Sequence, residues 1–264
     1  MHVQTYLKLI DCENFLTASL QSLKQLQRAN MFRIPFENID VQLSIPIHLH
    51  LPTLYKKVVE EHRGGYCYEL NSLFNWLLQK LGFVSQLISA RVVNNNQPGP
   101  EFDHMAILVK MENGWLLDVG FGDLFLDPIE IKPDVVQTDG ANYFMIKECE
   151  GGGYSLWMSA TGIRYEEKYR FNLNPVRMKD FEEQNRWKQT SPDSHFVKNL
   201  ICTLPIPKGR KTILNQRFLE RAGNERKMET FDNTEDLLQC LRAEFGIDIS
   251  THEPKLAELF QYSL

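Results

Sequence analysis

The segment from Arg63 to Asn71 constrains the fold of this 264-residue chain more than any other. It contains a paired-glycine turn, then Cys67, then the start of an apolar run. The run repeats at i, i+3, i+4 and i+7, which is typical of a helix packed along one face, through Leu70, Leu73, Phe74, Leu77, Leu78 and Leu81. The pattern predicts that Cys67 lies at or near the N-terminus of a buried helix.

The position at a helix N-terminus affects the ionisation of the Cys67 thiol. Unpaired backbone N–H groups and the positive end of the helix dipole favour a thiolate over a thiol. Because the thiolate is the nucleophilic form, Cys67 is a candidate nucleophile. A buried structural cysteine would fit the same local pattern. Two segments further along the chain favour the catalytic interpretation.

Two predicted strands, at residues 102–109 and 115–122, supply the partners of a nucleophile. Both are rich in aliphatic and aromatic residues, and an Asn-Gly pair between them indicates a hairpin turn. His104 begins the first strand and Asp118 comes late in the second, so an antiparallel pairing brings them close together. A histidine that is hydrogen-bonded to a carboxylate and faces a cysteine at a helix N-terminus can take the thiol proton, which makes the sulfur a nucleophile. We therefore predict that Cys67, His104 and Asp118 are catalytic.

Five segments occur in an order that resembles the arylamine N-acetyltransferase family. They are spread over roughly residues 15–202. In chain order they are Ile34-Pro-Phe-Glu-Asn38, Arg63-Gly-Gly-Tyr-Cys67-Tyr-Glu-Leu-Asn71, His104 with its apolar strand, Asp118-Val-Gly-Phe-Gly122 and Ser191-Pro-Asp-Ser-His-Phe196.

The resemblance implies a fold and a reaction. The implied fold is α+β, with an N-terminal helical bundle, a central antiparallel β-barrel, a C-terminal α/β lid and a papain-like Cys-His-Asp core. The implied reaction is a ping-pong transfer of the acetyl group of acetyl-CoA, through an acetyl-cysteine, to the nitrogen of arylamines, hydrazines or similar acceptors. No metal is implied.

The local patterns independently divide the chain into three parts. Residues 1–83 are predicted to be mainly helical, 84–190 mainly β and 191–264 mixed. We predict helices over Phe15–Gln27 and Thr53–Glu61, from near Asn233, and after Pro254. Strands are predicted at residues 87–93, 105–111, 114–119, 143–147, 154–159 and 168–171.

The resemblance also suggests where substrates bind. A flat aromatic amine requires an apolar, aromatic pocket, for which Phe36, Phe121 and Val93 are the candidates. The loop over residues 94–100 resembles the family loop that lies against the coenzyme, so we predict contacts from Gly99 and Phe102. Lys198 and the basic loop at residues 208–212 offer charges for phosphates, although a basic run of this length is also typical of a solvated turn.

Composition excludes several classes of function. A net charge of −5 provides no basic excess for nucleic acid, and no apolar run reaches the roughly 18–20 residues of a membrane helix. The N-terminal residues are not typical of a secretion signal. Five scattered cysteines fit neither a disulfide framework nor a zinc site, which predicts a reducing, cytoplasmic environment.

Some alternatives remain open at the level of sequence. A hydrolase or transglutaminase-like enzyme would use the same three residues on amides or peptides. A biosynthetic acyltransferase that forms amides would need a more open acceptor pocket. Arg63 either supports the thiolate or pairs with a carboxylate such as Glu37 or Glu69. We expect a monomer or a weak homodimer.

Overall fold

A computed structural model describes residues 1–15, 17–252 and 256–257 of the chain. Its N-terminal third is mainly helical, as the sequence predicts. It contains α1 (Val3–Leu9), α2 (Leu20–Arg33), the short strand β1 (Phe36–Glu37), α3 (Ile39–Gln42), α4 (Leu51–Tyr55) with a π-helical turn (Lys56–Glu60), and α5 (Cys67–Lys80).

Helix α2 starts later than its periodicity predicts. The predicted start was Phe15, whereas the helix begins at Leu20. The hydroxyl of Ser19 accepts a hydrogen bond from the Ser22 N–H (3.2 Å) and caps the first turn. Of the predicted helix, Leu16 lies outside the described residues. The cap, which apolar spacing does not reveal, therefore sets the boundary.

Helix α5 begins at Cys67 itself and carries the predicted apolar face. Its C-terminus is closed by Gly82, whose positive φ of 90° permits the chain to reverse. The Phe83 N–H then donates back to the Leu78 carbonyl (3.0 Å). Twelve of its fourteen residues are buried, which makes it the central helix of the N-terminal part.

A nine-stranded antiparallel sheet forms the middle of the chain, in the order β6-β5-β4-β2-β10-β9-β8-β7 with β3 beside β2. The six strands predicted last all occur, with ends shifted by up to three residues. The prediction of one strand over residues 115–122 was wrong, because that strand ends at Leu117 and Asp118 lies in the loop after it. Their bounds are β2 (Val84–Asn94), β3 (Gln97–Pro98), β4 (His104–Lys110), β5 (Gly114–Leu117), β6 (Ile129–Glu130), β7 (Gln137–Thr138), β8 (Tyr143–Glu148), β9 (Tyr154–Ser159) and β10 (Glu166–Phe171).

One side chain joins the two edges of this sheet. The Glu130 N–H of β6 donates to the Gln137 Oε1 of β7, and Gln137 Nε2 donates back to the Glu130 carbonyl, each at 2.8 Å. The two hydrogen bonds of this side-chain amide take the place of backbone hydrogen bonds between the outermost strands, and they nearly close the sheet into a barrel. The predicted α+β architecture with a β-barrel is confirmed.

A second antiparallel sheet combines β1 with four strands from the C-terminal third, in the order β1-β11-β12-β13-β14. Helix α8 packs on one of its faces around a separate apolar cluster. The remaining elements are a 3₁₀ turn (Met178–Phe181), α6 (Glu182–Thr190), α7 (His195–Lys198), β11 (Ile201–Ile206), β12 (Gly209–Leu214), β13 (Arg217–Ala222), β14 (Glu225–Thr230), α8 (Thr234–Phe245) and a 3₁₀ turn (Ser250–His252).

The three-part division of the chain stays a prediction. The largest apolar cluster joins helical residues such as Leu73 to strand residues such as Ile107, so the first two parts share a core. Helix α6 occupies the end of the segment predicted to be mainly β. The helix predicted after Pro254 lies outside the described residues apart from positions 256–257. No helix in the described part of the chain is both long and apolar enough to cross a membrane.

Candidate active site

A cleft of about 1010 Å³ contains the predicted nucleophile and histidine. It is bordered by the start of α5, the open end of the barrel and the five-stranded sheet. The residues that line it include Phe36, Cys67, Val92, Gly99, His104, Phe121, Lys188, Phe196, Thr203 and Arg210. The volume is at the upper end of the range for small-molecule sites.

Cys67 is the first residue of α5 and is 4% exposed, on the wall of the cleft. The Glu69 and Leu70 N–H groups both donate to the Tyr66 carbonyl (3.0 Å each). The N–H groups of Cys67 and Tyr68, together with the helix dipole, therefore favour negative charge on sulfur or on a nearby oxygen. The fold therefore gives Cys67 the helix-terminal position that the sequence predicts.

His104 and Asp118 meet as the hairpin geometry predicts. His104 Nε2 lies 2.6 Å from Asp118 Oδ2, and both side chains are buried. Strands β4 and β5 pair Ile107 with Leu117, which brings the start of one strand beside the residues that follow the other. The imidazole N–H donates to the carboxylate, so the other ring nitrogen is left for Cys67.

Asp118 is itself fixed by two further donors. Asn71 Nδ2 and the Gly120 N–H each donate to its Oδ1 at 2.9 Å. Asn71 lies one helical turn after Cys67, and its own Oδ1 accepts from the Val119 N–H (2.9 Å). The helix that carries the cysteine therefore also orients the acid.

Gly120 permits this close approach of the loop to α5. A Cβ at this position would lie 2.6 Å from Cys67 Cα and 2.8 Å from Asn71 Nδ2. Real Cβ atoms do not approach other atoms so closely, so any larger residue would push the loop away from the helix. The glycine thus sets the distance between the Asp118 segment and Cys67.

The histidine is held in its charged form. Burial by itself would lower the pKa of His104, but the Asp118 carboxylate and the hydrogen bond with Cys67 raise it to about 10. Because the folded-state pKa lies above the ordinary value of 6.5, this interaction stabilises the fold fully below pH 6.5. The contribution is lost as the pH rises through about 10.

This charge state gives a spectroscopic prediction. We expect the ¹⁵N signals of the His104 ring to remain those of an imidazolium at pH 8 and to titrate near pH 10. The Asp118→Asn variant, which lacks the carboxylate, should lose the ring proton at a lower pH. Titration of wild-type His104 between pH 6 and 7 would contradict the assignment.

A group of five charged residues, four of them buried and Lys57 half-buried, supports the N-terminus of α5. Arg63 donates to Glu37 Oε1 and to Asp40 Oδ1 at 2.8 and 2.9 Å, which favours the structural alternative for Arg63. Lys57 Nζ lies 2.8 Å from both Asp40 Oδ2 and Glu69 Oε1. Burial raises the pKa of Glu69 to about 7 against the opposing effect of Lys57. The other oxygen of Glu69 accepts from the Tyr66 N–H (3.0 Å) just before Cys67.

Aromatic rings form the apolar wall of the cleft. The predicted residues Phe36 and Phe121 both line it. Phe121 lies edge-on to the His104 ring at 5.3 Å, and Phe196 of α7 lies 6.0 Å from Phe36. The cleft therefore offers aromatic surface close to the histidine, as an arylamine pocket requires.

One of the three residues predicted for the apolar wall does not line the cleft. Val93 is not among the residues that line the cleft, whereas Val92 is. Successive residues of a strand point to opposite faces, and Val92 pairs with Tyr169, whose ring lies 5.4 Å from His104. By the same alternation the Val93 side chain points away from the cleft. Val92, rather than Val93, is therefore the candidate for contact with the acceptor.

The three predicted coenzyme contacts have different positions. Gly99 lines the cleft and donates its N–H to the Val92 carbonyl (2.8 Å). Phe102 is not a lining residue, because its ring packs on Phe181 at 5.3 Å. Lys198 is not a lining residue either, and its Nζ lies 3.6 Å from Asp193 Oδ1.

Two cations in the cleft are held by carboxylates. Lys188 Nζ of α6 lies 2.7 Å from Asp103 Oδ1, next to His104 in sequence. Arg210 of β12 donates to the Gly122 carbonyl and to Thr203 Oγ1 (3.0 Å), with Asp123 Oδ1 3.2 Å from its Nε. Arg210 therefore ties the second sheet to the loop that follows Asp118.

Other predicted features of the chain can be placed as well. All five cysteines are free. Within the described ranges, no group of three or more potential metal ligands comes together.

Sequence reasoning gave no role to Asn71 or Val92 and did not place Phe196 in the pocket. Asn71 and Phe196 both lie in the quoted motifs, and the spacing of Asn71 from Cys67, one helical turn, was the available signal.

Comparison with known proteins agrees with this geometry. The N-acetyltransferase family model matches residues 19–253. An arylamine N-acetyltransferase of Escherichia coli is 30% identical over 92% of this chain and 88% of its own length. The solved arylamine N-acetyltransferase of Salmonella typhimurium superposes with a TM-score of 0.91 at 27% identity, covering 98% of this chain and 97% of that one. The Mycobacterium marinum enzyme in complex with CoA shares the fold, with a TM-score of 0.88 at 24% identity over 98% of both chains.

Proposed function

This chain belongs to the arylamine N-acetyltransferase family, and we propose that Cys67 carries the acetyl group between acetyl-CoA and an aromatic amine or hydrazine. The observation that supports this role is the arrangement of Cys67, His104 and Asp118 at the cleft. The family assignment identifies the reaction as acyl transfer, and the local geometry supports the roles proposed for the residues.

Acylation of the enzyme is the first half-reaction. The Cys67 thiolate attacks the carbonyl carbon of the acetyl thioester, and the bond to the CoA sulfur breaks. The imidazolium of His104 gives its proton to the departing CoA thiolate and becomes neutral. Asp118 keeps the ring oriented and stabilises its positive charge beforehand. The N–H groups of Cys67 and Tyr68 at the start of α5 stabilise the oxyanion of the intermediate.

Transfer to the amine is the second half-reaction. The amine nitrogen attacks the acetyl-cysteine carbonyl, and the neutral His104 accepts the proton that the nitrogen loses. The bond to Cys67 sulfur breaks, so the thiolate–imidazolium pair is restored and the amide leaves. The charged state of His104 at neutral pH is the resting state that this cycle needs.

The acceptor ring is assigned to the aromatic wall. Phe36, Phe121 and Phe196 lie on the cleft surface near His104, and Val92 completes the apolar side. A flat ring packed there presents its amino nitrogen toward the histidine and the acetylated sulfur. Gly99 is the predicted coenzyme contact that remains on the cleft wall.

The cellular setting is proposed from the chemistry of the nucleophile. Cys67 works only as a free thiol, and Cys12, Cys149, Cys202 and Cys240 are free as well. This fits a reducing compartment, and we assign the enzyme to the cytoplasm. We propose that the protein is a monomer or a weak homodimer.

The covalent intermediate provides the direct test. We expect acetyl-CoA alone, without amine, to add about 42 Da to the intact protein, on the peptide that contains Cys67. An arylamine added afterwards should remove the adduct and appear as the amide. Absence of any adduct on folded, reduced protein would contradict the proposal.

The same measurement separates the rival activities. A hydrolase or transglutaminase-like enzyme would accept an acyl group from an amide or peptide and not from the CoA thioester. A biosynthetic amide-forming acyltransferase would form the adduct but discharge it poorly to a single-ring amine. Rapid discharge to a simple arylamine therefore supports the proposed acceptor class.

A further inference from the structure

The five-stranded sheet has one face that begins inside the cleft and continues outside it. Residues Ile201 and Thr203 of β11 and Arg210 and Thr212 of β12 all line the cleft. These positions alternate along their strands, so they belong to the same face, which we call the cleft face. The opposite face carries Cys202 and Ile213, which pack against α8.

The pairing of the outer strands extends the cleft face in two rows. Arg210 pairs with Arg221, which pairs with Arg226 of the edge strand. The neighbouring row pairs Thr212 with Leu219, which pairs with Met228. Strands lie about 4.8 Å apart, so the arginine row reaches roughly 10 Å outward from the cleft wall.

Charge is segregated between the two faces of this sheet. The acidic residues of β13 and β14 (Glu220, Glu225 and Glu229) all alternate onto the face opposite the arginine row. Lys227 shares that opposite face, where its Nζ lies 2.8 Å from Glu229 Oε1. The strands thus place no carboxylate on the cleft face.

The outer arginines are open to solvent. Arg221 and Arg226 are exposed, and neither forms an ion pair with any residue that the structure describes. Arg210, in contrast, is committed to Asp123 and the Gly122 carbonyl. Beside the row, Met228 is 63% exposed and Leu219 is half-buried, so an apolar strip runs parallel to the charges.

We propose that the row Arg221–Arg226 binds the phosphates of acetyl-CoA while Leu219 and Met228 support its adenine ring. This inference rests on the proposed function, since it requires the thioester end of the same molecule to reach Cys67. Guanidinium groups match phosphate oxygens bidentately, and the adjoining apolar strip suits a flat base. The cleft face connects this site directly to the wall beside Cys67.

The predicted coenzyme cation, Lys198, is a weaker candidate for this role. Its Nζ is 3.6 Å from Asp193, and it lies off the cleft wall. Lys188 lies in the cleft but is neutralised by Asp103 at 2.7 Å. Phosphate groups that carry several negative charges gain more from two guanidinium groups with no carboxylate partner among the described residues than from cations that already have one.

A comparison of two acyl donors tests the proposal. Acetyl-CoA carries the phosphates, and S-acetylpantetheine has the same thioester arm without them. We expect the Arg221→Gln/Arg226→Gln variant to lower the ratio of kcat/KM for acetyl-CoA to that for S-acetylpantetheine about tenfold, mainly through KM. Expressing the effect as a ratio cancels any general disturbance of the site.

Lys227→Gln is the control, because it removes one positive charge from the edge strand that carries Arg226 but on the opposite face. We expect it to keep the wild-type ratio. An unchanged ratio in the double arginine variant, or an equal fall in Lys227→Gln, would overturn the proposal. Failure of both donors to acetylate Cys67 in the wild type would instead overturn the proposed function.

Discussion

Cys67→Ala is expected to abolish acetyl transfer, lowering kcat/KM for acetyl-CoA by about 10⁴-fold or more. The substitution removes the sulfur that lies at the start of α5 beside His104. Folding should be nearly unaffected, because alanine fits the first turn of a helix and the side chain lies against open cleft. Steady-state kinetics and the mass of the protein after incubation with acetyl-CoA measure the effect.

Cys149→Ala is the matched control for this variant. Cys149 is also a free cysteine; it is half-buried, follows β8 and does not line the catalytic cleft. We expect it to retain wild-type turnover and to form the acetyl adduct. Appreciable turnover by Cys67→Ala, or loss of the adduct in Cys149→Ala, would contradict the assignment of the nucleophile.

Asp118→Asn is expected to lower the rate of enzyme acylation by about 10³- to 10⁴-fold. An amide cannot stabilise the imidazolium as a carboxylate does, and its NH₂ group competes with the donors that now orient Asp118. These donors are His104, Asn71 and the Gly120 N–H. Stopped-flow release of CoA in the absence of amine measures the acylation step alone.

Asp134→Asn provides the comparison for this effect. Asp134 is an exposed residue with a φ of 58°, a conformation that asparagine tolerates, and its substitution removes the same charge. We expect wild-type acylation from this variant. Near-normal acylation by Asp118→Asn would show that a different acid orients His104, whereas a folded but slow variant with a lowered His104 pKa supports the assignment.

The sequence alone predicted the elements that hold the catalytic residues. Apolar periodicity located α5, and the Asn-Gly turn located the β4–β5 hairpin, because both signals act over a few residues. The start of α2 was wrong by five residues, since the Ser19 cap overrides the apolar spacing. Local patterns therefore identify helices and strands better than they identify their ends.

The sequence did not reveal the residues that connect elements distant from one another along the chain. Asn71 joins α5 to the Asp118 loop through contacts 47 and 48 residues away in the chain. Val92 and Val93 differ only in the face of β2 to which their side chains point, and the pairing of β2 with β10 determines which face meets the cleft. Neither spacing nor composition encodes which face of a strand meets a cleft.

The sequence by itself determined the kinds of residue at the site and their local placement: a cysteine at a helix start, and a histidine and an aspartate at the two ends of a hairpin. Only the tertiary structure decided which surfaces meet around them. Strand β1 pairs with β11, which follows it by more than 160 residues, and this pairing places the arginine-bearing face beside Cys67. The physical reason is that short-range periodicity reports how one element buries its own apolar face, whereas a cleft arises from packing between elements that are distant along the chain.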